Sequence, residues 1–135
     1  MSVFIDTGIF VAVRNAADKN HRRGKELMRR ILKGEFGAAY TSDYVIDEAV
    51  TTALTRTKRL ELAIDIGEFI LSSPRIIKLR VSEDAFNAAW ELFKSLKERF
   101  LSFTDCTSLA LMEKNGIKRI ASFDSGFDGL VERIG

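Results

Sequence analysis

The chain has 135 residues, of which 46% are hydrophobic and 30% charged, with a net charge of +2; this composition excludes a disordered chain. Cys106 is the only cysteine, so an internal disulfide is excluded, and with one histidine the chain cannot assemble a His/Cys zinc site by itself. No apolar run approaches the roughly 20 residues that span a bilayer, and no signal peptide precedes the strand-like start at Ser2. We expect one cytoplasmic domain over residues 1–135, without membrane association.

Strand-like and helix-like segments alternate along the chain. The first half predicts a strand at 2–6, helices at 7–16 and 19–34, a strand at 36–41, and helices at 43–57 and 59–72. The second half predicts a strand at 75–81, a long helix at 82–99, a helix from Thr104 or Asp105 to Gly116, a strand at 117–122 and a short edge strand at 131–134. Strands separated by helices are typical of the α/β class. We therefore expect a three-layer αβα sandwich with a mostly parallel central sheet of about five strands.

Four acidic residues lie where solvation alone explains them poorly. Asp6 interrupts one apolar run and Asp124 ends another, whereas Asp105 opens a predicted helix and Glu48 lies one turn into the helix after the second strand. A charged, unpaired carboxylate in apolar surroundings costs roughly several kcal/mol. Because ligands of parallel sheets gather at the carboxyl ends of the strands, we expect the four side chains to converge at that edge.

Each acid also has an ordinary interpretation. Asp105 could cap its helix and Asp124 could be a turn residue beside Ser-Gly. Helical spacing does not prefer Glu48 over Asp47, since the two flank the buried face on opposite sides. Asp6 has the weakest alternative, because a strand interior offers it no capping role. Taken together, carboxylates ~4 Å apart repel by about 4 kcal/mol per pair at an effective dielectric of ~20, and a hard divalent ion removes that conflict.

The order of these motifs resembles the PIN domain, particularly the VapC-type toxins of prokaryotic toxin–antitoxin pairs. The matching segments are Phe4-Ile5-Asp6-Thr7, Val45-Ile46-Asp47-Glu48-Ala49, Thr104-Asp105 with Ala110-Leu111 at the end of its helix, and Ser122-Phe123-Asp124-Ser125-Gly126-Phe127. The resemblance covers nearly the whole chain in order and spacing. Gly8 stands where Ser or Asn is common, and Cys106 where Ala is usual, but neither departure removes an acid.

The resemblance implies a metal-dependent endoribonuclease that uses Mg²⁺, or Mn²⁺ in its place, and leaves a 5′-phosphate and a 3′-hydroxyl. The implied catalytic and metal-binding residues are Asp6, Glu48, Asp105 and Asp124, with Asp6 and Asp105 the most direct ligands. The implied supporting residues are Thr7 and Thr104, as hydrogen-bond partners of the carboxylates, and Asp128 as an outer acid. A homodimer and a cognate antitoxin that blocks the acidic pocket are implied as partners of this RNA-cleaving toxin.

Basic residues crowd the predicted helix at 19–34, which carries seven lysines and arginines against the single acid Glu26. Arg22, Arg23 and, from another helix, Arg56 are the candidates for binding the phosphate backbone of RNA. For the distal basic residues, a solvated helix face is the favoured interpretation. His21 is expected at the surface or in a loop.

Two apolar features suggest packing or partners. Trp90 and Phe93 are expected in the core, because aromatic residues at helical spacing are more often core residues than platforms on which a base stacks. The helix at 59–72 is apolar nearly all round, which is more than a single small domain is expected to cover, so it predicts a homodimer face.

Two rival functions stay open at this level. Asp6-Thr7-Gly8 matches the Asp-Thr-Gly of dimeric aspartic proteases, but that fold is almost entirely β, whereas this chain reads as largely helical. The other rival is a PIN-like module that binds RNA or protein and has lost catalysis, which the presence of all four acids disfavours.

Overall fold

Five parallel strands form one sheet in the order β3-β2-β1-β4-β5. The computed structural model describes the backbone of residues 1–135 and every side chain except that of Lys97. The strands are β1 (Ser2–Ile5), β2 (Ala38–Ser42), β3 (Ile76–Leu79), β4 (Arg119–Ala121) and β5 (Glu132–Ile134). Val3, Phe4 and Ile5 of the central strand are fully buried, because helices cover both faces of a parallel sheet.

Six α-helices connect the strands. They are α1 (Thr7–Arg14), α2 (His21–Leu32), α3 (Asp43–Thr57), α4 (Leu60–Ser72), α5 (Glu83–Ser95) and α6 (Phe103–Lys114), with 3₁₀ turns at Lys97–Arg99 and Ser125–Phe127. Among the residues described, no helix combines the length and apolar character needed to cross a membrane. The expected α/β class and αβα sandwich are confirmed, with every strand pairing parallel.

The order of the strands reverses at β1. The chain moves from β1 to β2 and β3 on one side and then returns to β4 on the other side of β1, where Phe4 pairs with Ile120. Since such crossovers are right-handed, α1 to α4 cover one face, and α5 and α6 cover the opposite face. The carboxyl ends of β1 and β4 therefore form a topological switch point, the position where open α/β sheets bind ligands.

The helix predicted at 82–99 is too long. The α-helix ends at Ser95, a 3₁₀ turn follows, and Phe100 has a φ of +56°, which no helix continues through. The next helix begins after Ser102, the residue whose hydroxyl accepts from the backbone N–H of Asp105 and caps it. The predicted caps are wrong, since Thr104 and Asp105 are the second and third residues of the helix.

The expectation that Trp90 and Phe93 of α5 lie in the core is wrong. Trp90 is 50% and Phe93 38% exposed, and the two rings stack with centroids 5.8 Å apart. The side chains that α5 buries are Ala85 and Ala89, since only small residues fit where the helix lies closest to its neighbours. The large rings are therefore left on the outer surface.

Candidate active site

An open cavity of about 480 Å³ lies at the carboxyl ends of β1 and β4. All four predicted acids line it, although they are up to 118 positions apart along the sequence, as from Asp6 to Asp124. Its other charged or aromatic lining residues are Asp18, Lys19, Arg56, Phe100 and Phe123. The convergence expected from strand ends is therefore observed.

Asp6 follows β1 directly and begins α1 as its N-terminal flanking residue. Its carboxylate is 6% exposed, and the Ser122 hydroxyl donates a 2.7 Å hydrogen bond to Oδ2. Oδ1 is buried and accepts no hydrogen bond from any described residue. Burial, followed by repulsion from Asp105, raises the pKa of Asp6 to about 7. The site thus holds a buried carboxylate oxygen that lacks the cationic or donor partner such atoms ordinarily have.

Asp105 is the third residue of α6 and is 8% exposed. Its Oδ2 accepts from the backbone N–H of Ser102 at 3.0 Å, and this bond completes a capping box. Burial is the main cause that raises the pKa of Asp105 to about 6, and repulsion from Glu48 and Asp124 adds to it. Asp105 is therefore not the N-cap residue that its position predicted, but its carboxylate completes the capping box, and the same geometry fixes it in the cavity.

The structure separates Glu48 from its neighbour Asp47. Glu48 is half-buried and lines the cavity, with Oε2 3.4 Å from the Ser102 hydroxyl. Asp47 is exposed, and its Oδ1 accepts from the Thr51 hydroxyl at 3.4 Å on the outer face of α3. Of these two neighbouring acids, only Glu48 lies in the cavity with Asp105.

Asp124 holds the turn after β4. Its Oδ1 accepts a 2.8 Å hydrogen bond from the backbone N–H of Gly126, so the turn interpretation also describes it correctly. A Cβ added at Gly126 would lie 3.0 Å from this oxygen, tighter than ordinary side-chain contacts. The absence of a side chain at Gly126 therefore leaves room for the carboxylate at the cavity edge.

Ser122 was not predicted as a site residue. Its buried hydroxyl donates to Asp6 and accepts from the backbone N–H of Asp124 at 3.0 Å, so one oxygen joins two of the acids. Its sequence signal was its position at the end of a strand, two residues before an acid. The hydroxyl of Ser102 likewise contacts two acids: it accepts from the backbone N–H of Asp105 and lies 3.4 Å from Glu48 Oε2.

The supporting residues predicted from the resemblance are placed differently. Thr7 Oγ1 is buried without a hydrogen-bond partner among the described residues, and the Thr104 carbonyl accepts from the hydroxyls of Thr107 and Ser108. Asp128 is exposed and pairs with Arg133 at 2.7 Å, away from the residues that line the cavity. The observed hydroxyl partners of the acids are the two serines instead.

The basic candidates divide into two groups. Arg56 lines the cavity, and Arg23 lies with its guanidinium carbon 4.9 Å from the ring centroid of Phe123, which lines it as well. Arg22 is exposed on the outer face of α2, beside Lys25 and Arg29. His21, at the start of α2, is half-buried, and its Nδ1 lies 2.7 Å from the carbonyl oxygen of Ala12. Cations therefore border the acidic cavity, but not all of the basic helix reaches it.

Comparison with known proteins identifies the family. A profile described as PIN domain matches residues 3–132. The chain belongs to the PIN domain family. It is 32% identical over 133 residues to the 23S rRNA-specific endonuclease VapC20 of Mycobacterium tuberculosis, covering 96% of both chains, and so belongs with the VapC-type members of the family.

Solved structures of PIN domain proteins share the fold. The crystal structure of M. tuberculosis VapC20, described as a sarcin-ricin loop cleaving toxin, matches with a TM-score of 0.83 at 29% identity, covering 95% of this chain and 94% of that one. VapBC2 from Rickettsia felis, solved with a DNA fragment from its promoter, matches with a TM-score of 0.68 at 14% identity, covering 99% and 98%. FitAcB from Neisseria gonorrhoeae matches with a TM-score of 0.64 at 16% identity, covering 98% and 96%. The last two likenesses show the fold alone.

The PIN fold also decides against one rival. An aspartic protease is built almost entirely of β-structure, whereas here Asp6-Thr7-Gly8 leads from a parallel strand into a helix. The Asp-Thr-Gly match is therefore coincidental.

Proposed function

We propose that this PIN domain protein is a divalent-metal-dependent endoribonuclease and the toxin of a toxin–antitoxin pair. The observation that carries the proposal is the convergence of Asp6, Glu48, Asp105 and Asp124 on one cavity that is bordered by cations. The relation to VapC20, an endonuclease specific for 23S rRNA, supports RNA as the substrate class.

Asp6 and Asp105 would hold the metal ion. The buried, unpartnered Oδ1 of Asp6 and the raised pKa values of both carboxyls fit a site whose negative charge a bound cation would offset. Among the described residues, no three His, Cys, Asp or Glu side chains form a ready-made metal cage. The two carboxylates of Asp6 and Asp105, completed by several waters, are a usual ligand set for Mg²⁺, for which Mn²⁺ can substitute. When bound, such an ion activates water and offsets the charge that develops on a phosphoryl group.

The other residues orient the reactants. Glu48 and Asp124 would accept hydrogen bonds from water in the cavity, while Lys19 and Arg56 bind the phosphates of the RNA backbone. The oxygen of the attacking water forms a bond to phosphorus as the bond from phosphorus to O3′ breaks. One water proton leaves to the solvent and O3′ gains a proton, which gives a 5′-phosphate and a 3′-hydroxyl.

Cleavage of an end-labelled RNA tests the function. With Mg²⁺ we expect cleavage by the wild-type protein, and a loss of at least about 100-fold in Asp6→Asn and Asp105→Asn, since each removes a charge on which the site depends. Asp47→Asn is the matched control, because this exposed acid next to Glu48 should leave the rate unchanged. EDTA should abolish cleavage by the wild-type protein. Full activity in either site variant, with retained fold by circular dichroism, would refute the assignment.

Two surfaces fit the proposed partners. A groove of about 340 Å³ between α3 and α4 is lined by aliphatic residues, and its concave shape suits an entering amphipathic helix of an antitoxin. The exposed rings of Phe86, Trp90 and Phe93 on α5 form a second apolar surface, the aromatic face. In place of the helix at 59–72 that the sequence favoured as a dimer face, we assign this aromatic face to a second copy of the chain, because aromatic residues are enriched at interfaces.

A further inference from the structure

Phe100 has a backbone conformation that its side chain disfavours, at the mouth of the acidic cavity. Its φ is +56°, in the left-handed region where a bulky residue is a genuine outlier. The side chain is 92% exposed, so no packing in the chain compensates for that strain. The same residue lines the cavity that holds the four acids. Strain of this kind, kept at a candidate site, indicates a role in function.

The neighbours of Phe100 fix the loop from both sides. The Arg99 guanidinium donates to the carbonyl oxygens of Gly126 and Asp128, the first at 3.2 Å. Leu101 is 5% exposed, and a Cβ added at Gly126 would lie only 2.9 Å from its Cδ2. The loop is thus held against the turn that carries Asp124, and it continues directly into Ser102. The ring of Phe100 projects from a backbone whose position is tied to the acids.

A second ring borders the same cavity. Phe123 lies between Ser122 and Asp124 in sequence, and Arg23 lies over its ring. Proteins that bind single-stranded nucleic acid stack exposed bases on aromatic rings while nearby cations bind the backbone. In double-stranded RNA the bases are stacked on one another and cannot reach such a ring. An exposed ring beside acids and phosphate-binding cations therefore favours RNA with an unpaired base.

We propose that Phe100 is a substrate-positioning residue on which an unpaired RNA base next to the cleaved phosphodiester stacks. This inference rests on the proposed ribonuclease function of the adjoining cavity. It restricts the substrate to single strands, loops or bulges, since only these present a base to the ring.

Three substitutions separate the ring from the loop that carries it. Phe100→Gly removes the ring but suits the left-handed backbone, so its melting temperature should equal or exceed that of the parent protein. Phe100→Trp keeps an aromatic face, and Phe100→Leu keeps apolar bulk without one. Ile77→Ala, an exposed apolar residue on the edge strand β3, is the matched control.

Binding is measured in the Asp6→Asn background, so that the RNA is not cut. The probe is a fluorescein-labelled single-stranded RNA of about 12 nucleotides, and the comparison is the same strand in a duplex. We expect about 5- to 150-fold weaker binding of the single strand for Phe100→Gly and Phe100→Leu, near-parental binding for Phe100→Trp, and no change for Ile77→Ala. Duplex binding should be equal in all variants.

Several results would overturn the proposal. They are unchanged single-strand affinity in Phe100→Gly, rescue by Leu as complete as rescue by Trp, and an equal loss for duplex and single strand. Cleavage assays with Asp6 intact distinguish this failure from failure of the proposed function. Absence of any cleavage refutes the ribonuclease, whereas cleavage with an unchanged KM in Phe100→Gly refutes the stacking role alone.

Discussion

At the scale of single residues, the carboxyl group of Asp6 links the site to the stability of the fold. Its pKa is about 7 in the folded protein and 3.8 ordinarily, mainly because it is buried. The neutral form is therefore favoured by folding. Without metal, the stabilisation from this group is fully present below pH 3.8 and is lost as the pH rises through about 7.

Asp6→Asn should remove this penalty. In EDTA at pH 8 we expect the variant to be more stable than the wild type by up to about 4 kcal/mol, and the difference to vanish near pH 4. Mg²⁺ at pH 8 should stabilise the wild type and not the variant. Urea denaturation across this pH range provides the measurement, with Asp47→Asn as the control. If the wild type and Asp6→Asn showed the same dependence of stability on pH, the conclusion that burial raises the pKa of Asp6 would be wrong.

Sequence patterns identified the acids better than their partners. Asp6 and Asp124 stand out because a charge in an apolar run is visible in one dimension. The choice of Glu48 over Asp47 needed the resemblance, since both flank the buried face of the helix. Ser122 escaped notice because serine is ordinary at a strand end, and its link between Asp6 and Asp124 exists only after β1 and β4 have paired.

At the scale of elements, the start of α6 serves both the helix and the site. Ser102 caps the helix, and its hydroxyl also lies 3.4 Å from Glu48 Oε2. Ser82 caps α5 in the same way, by accepting from the backbone N–H of Ala85, but it lies outside the cavity. The two serines form a natural pair for separating stability from catalysis.

Replacing each cap with alanine should have different consequences. Ser82→Ala and Ser102→Ala should each lower the free energy of unfolding by about 1 kcal/mol through the lost cap. Only Ser102→Ala should also slow RNA cleavage, by about 10-fold or more, because the Glu48 carboxylate loses a hydroxyl partner and the backbone N–H of Asp105 loses its cap. Urea denaturation and single-turnover cleavage measure the two effects. Equal cleavage rates in the two variants would show that the hydroxyl of Ser102 has no part in the site.

The existence and order of the elements were predictable, because hydrophobic periodicity reports burial along each segment. The end of α5 was not. Residues 96–99 continue a helical pattern, and the backbone departs from it because Arg99 and Leu101 are bound to the turn around Gly126. That tertiary contact has no signature in the local sequence. The exposure of Trp90 was missed for a similar reason, since local spacing does not show that alanines occupy the buried side of α5.

At the scale of the whole molecule, two uncovered apolar surfaces predict two kinds of partner. Ile64 on α4 is 53% exposed beside the groove, and Trp90 on α5 is 50% exposed on the aromatic face. Burial of such side chains contributes roughly 1.5–3 kcal/mol each. A charge introduced at either position should therefore disrupt only the partner that covers it.

Trp90→Glu should convert a homodimer to a monomer in sedimentation experiments, whereas Ile64→Glu should leave the dimer intact. Conversely, Ile64→Glu should weaken binding of the proposed antitoxin, measured by calorimetry, by at least about 10-fold. Both side chains are exposed in the single chain, so neither change should unfold it. If the dimer were lost in Ile64→Glu and kept in Trp90→Glu, the groove would be the dimer interface and the aromatic face would be the antitoxin site.

The pairing of β4 with β1 also determines at what point during synthesis of the chain the acidic site can form. Asp6 leaves the ribosome 116 residues before Ser122, whose hydroxyl donates to its carboxylate and also accepts from the backbone N–H of Asp124. A nascent chain from which β4 has not yet emerged carries Asp6 next to an open sheet edge. The proposed ribonuclease site is in this way assembled only after the ribosome has translated the codons of β4.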